Sequence, residues 1–306
     1  MKIFSSTTFL AILTCVMWGS SFVPTKTGLE YMEAPLQFAG YTFTIAGLLL
    51  LPWAVANRNF FNQVKQYWLL MLKVGLFSTT ILYGAYYCGQ SLTDASIVAL
   101  IVGCQPFFVT LLSSWIIKDE KFTPLMICSL VLGIMGLVVV SWPSFFSIKS
   151  MGFASAAGIL LIIIDCISAA YGNIIVARVD FTRVDIKVLS AMEMIFGGVL
   201  LLLLAYPFEG IAHVPVDMEF YISLGAMVLI TIFTTIIWLH LLSRKGVKVS
   251  SLNMWKFLLP VVGSIECWTI LKNDRPDTYS IVGLVIITVS LVVFNFKSLK
   301  GFFTKD

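Results

Sequence analysis

Among the ionisable side chains inside the long apolar runs of this 306-residue chain are Asp165, Glu193, Lys256, Glu266 and His240. A charge held in hydrocarbon is costly unless it is paired or hydrated, so each is a functional candidate by default. Asp165 stands near the middle of its run with no fellow charge within a turn. Two roles suit it: a protonatable or amine-binding carboxylate facing a cavity, or a neutral acid bonded to neighbouring helices. A low dielectric disfavours the ionised form of a carboxyl group, which is the property that proton coupling needs. Glu193 and Lys256 each lie about seven residues inside a run end, hence about 10 Å deep at about 1.5 Å per residue, and at that common depth they can pair. Lys256 can instead attract an anionic group such as a substrate carboxylate, or snorkel toward water. Glu266 and His240 sit nearer run ends and read as interfacial.

Polar and aromatic residues gather beside these charges at helical spacing. Tyr83, Tyr87 and Gln90 recur at i, i+4 and i+7; so do Thr231, Thr235 and Trp238, while Asn253, Lys256 and Pro260 follow at i, i+3 and i+7. Lipid would reject such faces, so three of them predict a shared chamber, with Gln105 opposite Asn253 and Lys256. Trp18-Gly19-Ser20-Ser21 adds a flat wall with one donor, then small residues that admit a neighbouring helix; helix-packing glue is the alternative use. Pro24, Pro106 and Pro260 each lack a backbone N–H and predict breaks or hinges. Pro106 frees the carbonyl of Val102 and Pro260 that of Lys256, tolerable only in protein or beside a wet cavity. Ser129-x-x-x-Gly133 is a small-residue packing surface, between parts of one chain or between protomers of a homodimer.

Other chemistries lack their parts. The two histidines, His213 and His240, are far apart, and there is no H-E-x-x-H, G-x-S-x-G or P-loop. The six cysteines, 15, 88, 104, 128, 166 and 267, have no C-x-x-C spacing and read as small apolar residues. No enzyme activity, metal or cofactor is expected. A channel would need a repeated filter or rings of charge.

Composition supplies the medium for these residues. With 59% hydrophobic and 12% charged residues and a mean hydropathy of +0.96, the chain reads as an integral membrane protein. Ten apolar runs of spanning length cover roughly 7–27, 34–56, 67–89, 94–117, 123–142, 151–176, 186–207, 218–242, 249–271 and 278–296. They lack the period-two alternation of barrel strands, so helices are required. The first run resembles a signal peptide, but its length and the want of an A-x-A site favour a retained helix. Basic residues then set orientation. Arg58, Lys65, Arg178, Arg183, Lys187, Arg244, Lys245 and Lys248 fall with Lys2, Lys118, Lys121 and the C-terminal lysines on one side, against Lys149, Lys272 and Arg275 on the other. Both termini are therefore expected in the cytoplasm. The net charge of +4 is topology and calls for no nucleic-acid partner.

The chain also repeats. Trp18-Gly19-Ser20 lies over Tyr171-Gly172-Asn173 at an offset of 153. "CQPFFVTLLSSWIIKDEKFTP" lies over "LLPVVGSIECWTILKNDRPDT" at 154, matching Pro106 with Pro260, Glu120 with Asp274, Ser129 with Gly283 and Gly136 with Ser290. Residues 1–149 and 150–306 are thus expected to be two five-helix units, the second inverted because five is odd. The fold class expected is an all-α integral membrane protein, ten transmembrane helices as two inverted five-helix repeats, with a site near the midplane between them.

"LTCVMWGSSFVPTKTGLEYMEAPLQFAGYTFTIAGLLLLP" and "SLTDASIVALIVGCQPFFVTLLSSWIIKDEKFTPLMICSLVLGIMGLVVV" resemble the opening and end of an EamA-type domain of the drug/metabolite transporter superfamily, repeated more weakly in the second half. The resemblance implies transport of small metabolites, often amino acids and often outward, and a bacterial inner-membrane location. Two positions depart from the family: Gly40-Tyr41-Thr42 replaces a common arginine, and Asp274 a usual glutamate. The expectation is a secondary transporter that rocks one repeat against the other around Trp18, Ser20, Tyr83, Tyr87, Gln105, Asp165, Tyr171, Trp238, Asn253 and Lys256. Its partners would be a small-molecule substrate, the lipid bilayer and a coupling proton; a membrane binding protein without transport is the alternative.

Overall fold

A computed structural model describes residues 6–92, 95–117, 123–145, 153–270 and 276–303. Within them the chain is helical, without a β-strand. The helices are α1 Thr7–Gly19, α2 Phe22–Tyr31, α3 Pro35–Val55, α4 Phe60–Gly75, α5 Ile81–Leu92, α6 Ala95–Gly103, α7 Gln105–Ile116, α8 Pro124–Phe145, α9 Phe153–Ala177, α10 Ile186–Glu209, α11 Met218–Ser243, α12 Val249–Asn253, α13 Leu258–Ile270 and α14 Thr278–Phe303. A π-helical turn, Leu76–Thr80, joins α4 to α5, and a 3₁₀ turn, Met254–Phe257, joins α12 to α13.

Local chemistry sets the ends. The Asp185 carboxylate accepts the Lys187 N–H at 2.7 Å and caps α10, and its second oxygen accepts Asn57 Nδ2 at 3.1 Å. Pro35 opens α3, where its missing N–H costs nothing. The next two orphan donors, Leu36 N–H and Gln37 N–H, go to Glu209 at 2.7 and 2.9 Å, which ties the start of α3 to the end of α10. Gly210 then stops α10 with φ +69°, a conformation that favours glycine.

Packing is by close helix pairs: α3 on α10, α8 on α14 and α5 on α9. Small residues permit the approach. A Cβ on Gly47 would stand 2.9 Å from the Ala191 carbonyl, and one on Gly198 2.6 Å from the Thr44 nitrogen. A Cβ on Gly136 would stand 2.8 Å from the Gly283 carbonyl, and Ser290 Oγ donates to the Ser129 carbonyl at 2.6 Å. The core holds Ala11, Cys15, Ala170, Ile174, Leu189, Leu241 and Leu252, while Leu48, Trp53, Leu203 and Phe233 point outward. An apolar exterior over an apolar interior is what a lipid solvent permits.

Seven helical stretches among the described residues are long and apolar enough to cross a membrane: Thr7–Tyr31, Pro35–Val55, Phe60–Leu92, Pro124–Trp142, Phe153–Ala177, Ile186–Glu209 and Met218–Ser243. The ten expected runs are not all single helices, and the prolines explain two of the differences. The run at 94–117 breaks at Cys104, two residues before Pro106, through the i to i+3 bonds Cys104 N–H to Ile101 O and Phe107 N–H to Cys104 O. The run at 249–271 tightens into the 3₁₀ turn in the segment just before Pro260, where a proline denies the α-helical bond to the residue-256 carbonyl. The last run appears as a shorter apolar helix, Thr278–Phe294. The third run is longer than expected, starting at Phe60, because the helix carries on past its apolar stretch into polar residues. Pro24 does not kink a helix at itself; the break lies at Ser20–Ser21, where α1 stops and α2 begins. Glu120 and Asp274, matched by the repeat, lie outside the described residues.

Candidate functional site

The breaks in α1 and in the 249–270 segment bring one cation between two indoles. Trp18, in the last turn of α1, and Trp238 of α11 tilt toward each other with ring centroids 4.9 Å apart and planes at 58°. Lys256 lies in the 3₁₀ turn with its ammonium 5.4 Å from the Trp18 ring and 5.2 Å from that of Trp238. Both distances are within cation–π range. The ammonium donates to Gln105 Oε1 at 2.7 Å, immediately before Pro106 at the start of α7.

A chain of amides fixes the indole. Trp238 Nε1–H donates to Asn173 Oδ1 at 2.7 Å, Asn173 Nδ2 donates to Asn253 Oδ1 at 3.2 Å, and Asn253 Nδ2 donates to the Val249 carbonyl at 2.9 Å. Trp238, Asn173 and Asn253 are all buried, so each polar group needs such a partner. The network links α11, α9 and α12 around the lysine.

Asp165 of α9 is 1% exposed and lies within electrostatic reach of Lys256, Tyr83 and Tyr86. No carboxylate among the described residues stands at ion-pair distance from Lys256. The pairing of Lys256 with Glu193 is therefore not formed: Glu193 is buried on α10, whose backbone at this residue meets Gly75, and its Oε2 has no hydrogen-bond partner. An ammonium has three donors. With one on Gln105 and the indoles offering only π faces, Lys256 keeps donors for an incoming anion.

The other expected residues divide. Tyr83 packs on Phe43 at 4.8 Å and stacks with Tyr87 at 6.5 Å, both on α5. The Ser20 hydroxyl donates to Glu266 Oε1 at 2.6 Å, so Glu266 ties the end of α1 to α13. Tyr171 is turned away, edge-on to Phe77 at 4.7 Å and lining an outer cleft of about 420 Å³ with Tyr67, Lys73 and Arg178. The residue of that motif brought to the Trp238 indole is Asn173. Residues two apart on a helix point to nearly opposite sides, so only one of Tyr171 and Asn173 can face inward. The signal was in the repeat, where Asn173 lies over the polar Ser20.

Residues 5–142 match the model of the EamA-like transporter family. The chain is 28% identical over 294 residues to a Bacillus subtilis protein named as the transporter YvbV, covering 95% of this chain and 92% of that one. It is 27% identical over 304 residues to a Salmonella typhimurium protein named as a probable amino-acid metabolite efflux pump, covering 94% and 95%. A solved crystal structure superposes with a TM-score of 0.78 at 17% identity, over 97% of this chain and 98% of that one, which shows a common fold. Both sequence relatives are named as transporters or efflux pumps and neither as an enzyme. This chain is a multi-pass membrane protein whose residues 5–142 are similar to the EamA-like transporter family, and along nearly its whole length it resembles proteins named as transporters.

Proposed function

We propose that the protein is a secondary transporter of small amphipathic metabolites, amino acids or their relatives, and that it works by alternating access. The observation that carries this reading is Lys256 between Trp18 and Trp238, with Asp165 in electrostatic reach. A zwitterion is the complementary solute. Its carboxylate takes the spare donors of Lys256, its ammonium goes to Asp165, and its apolar part lies on the indoles and the Tyr83–Tyr87 wall. The name of the Salmonella relative points to the same class of solute.

Two inverted repeats, 1–149 and 150–306, supply the motion. Support comes from contacts that exchange halves. Gly47 against Ala191 and Ile195 is mirrored by Gly198 against Gly40 and Thr44. The pair Ser129 with Ser290 is likewise mirrored by Gly283 with Gly136, the same positions matched by the sequence repeat. Two such halves have two similar packings, one open to each side. Pro24, Pro106 and Pro260, each shortly after a break, serve as hinges. The reading has ten spans, counted from the apolar runs, with both termini in the cytoplasm from the basic residues, and a bacterial inner membrane as the family resemblance implies. In support, Arg178 meets the Ile116 carbonyl and Arg244 reaches Thr7, so Arg178 and Arg244 share the end of the bundle where α1 begins.

The test is counterflow in proteoliposomes loaded with unlabelled amino acids, polyamines or nucleosides. Labelled amino acids should accumulate above empty liposomes. Asp165→Asn and Lys256→Met should each cut that accumulation at least about tenfold, the scale of losing a buried charge contact of about 2 kcal/mol. Unaltered transport in both variants would overturn the residue roles, and no counterflow by the parent protein would overturn transport.

A further inference from the structure

Three buried polar oxygens without partners lie on α10 and α3: Glu193 Oε2, Ser190 Oγ and Thr44 Oγ1. Glu193 is 3% exposed, and Ser190 is one turn below it on the same face of α10. That face meets α4 where the helix changes pitch. The Gly75 backbone stands against the Glu193 carbonyl, a Cβ on Gly197 would come within 2.7 Å of the Gly75 carbonyl, and Thr80 Oγ1 of the π-helical turn donates to the Gly197 carbonyl at 3.0 Å. Single π turns recur at functional sites because they shift a short segment without breaking the helix. An ionised carboxylate with an orphan oxygen in a low dielectric is costly. No cation among the described residues compensates it. Tyr83 of α5 is the titratable group within electrostatic reach. From α4, Lys73 is exposed; on α10, Lys187 is exposed; on α11, Glu219 and His240 are exposed; α3 and the π turn present glycine and threonine.

We propose that Glu193 is the carboxylate that takes up and releases the coupling proton, at a site between α10 and the π-helical turn that is separate from the Lys256 chamber. A hard metal cation takes about six or more oxygen ligands, whereas the unpartnered oxygens here are those of Glu193, Ser190 and Thr44, and the Thr80 hydroxyl is bonded to the Gly197 carbonyl. A proton needs only one oxygen. In one access state water delivers a proton to the carboxylate, giving the neutral acid; in the other the acid returns it to water on the opposite side. Asp165 is then left for the substrate amine. This assignment rests on the transport reading above.

The experiment uses the full chain in liposomes. Infrared difference spectra between acid and alkaline buffer should show a protonated-carboxyl band that is missing in Glu193→Gln, shifted in Glu193→Asp and kept in Asp165→Asn. With a trapped pH dye, the parent protein should move protons together with a labelled amino acid, and Glu193→Gln should lose that proton movement. A band that survives in Glu193→Gln, or proton movement that persists there, overturns the proposal. Gln is isosteric with the neutral acid; if that variant fails to fold, the Glu193→Asp band shift decides. If the parent protein shows no counterflow with any solute, transport fails, and the infrared band still decides whether Glu193 binds a proton.

Discussion

At the scale of the residue, what distinguishes Lys256 is that its partners are neutral: one amide oxygen and two indole faces. Such a cation is held in place without a carboxylate partner, which is the state the proposed substrate carboxylate would need. The tryptophan that faces it is held by one donor. Trp238→Phe keeps a ring and removes the Nε1–H, leaving the Asn173 oxygen orphaned in a buried network. That should weaken substrate binding by about 1–2 kcal/mol, near tenfold in affinity. Isothermal titration of the detergent-solubilised protein measures it, and an unchanged affinity would detach the amide network from binding.

Elements are held by contacts that tolerate little. Along α3 and α10 the backbones approach through Gly47 and Gly198. Gly47→Leu should overpack that interface and cost at least about 1–3 kcal/mol, seen as a lower midpoint of thermal unfolding in detergent. Helix ends give a second case. Asp277 caps α14, accepting the Tyr279 N–H at 2.9 Å, the Ser280 N–H at 3.1 Å and the Ser280 hydroxyl. The Ser280 hydroxyl, with the two backbone donors, holds the Asp277 carboxyl below its ordinary value. A depressed value stabilises the folded state above the unfolded carboxylate range, and that stability is lost as pH falls through the folded value. Amide exchange in the first turn of α14 should therefore quicken in acid. Asp277→Ala should quicken it already at neutral pH, by the equivalent of about 1 kcal/mol.

For the whole molecule, the proposed rocking motion would use the breaks before Pro24 and Pro106 as the places where half-helices turn. Pro24→Ala and Pro106→Ala allow the backbone bonds that the prolines forbid, so they should stiffen the joints at Ser20–Ser21 and Cys104. Counterflow should slow about tenfold, the effect of about 1.4 kcal/mol on a barrier, while equilibrium substrate affinity stays near that of the parent. Equal losses of rate and affinity would instead make these prolines part of the binding surface.

Much of this protein was determined by composition and periodicity alone. Runs of apolar residues require helices in lipid, because backbone groups there have no other partner. Intramembrane charge marked Asp165 and Lys256, and spacing grouped Lys256 with Asn253 and Trp238 with Thr231, since helical periodicity is a local property. Rotation about each helix axis is not local. It is set by which neighbour packs against which face, so only the tertiary structure could turn Asn173 inward and Tyr171 outward, give Ser20 to Glu266, and give Lys256 to Gln105 rather than to Glu193. The π-helical turn under Glu193 was equally hidden, because it arises from the seating of Gly75 and Thr80 on a helix more than a hundred residues away in the chain.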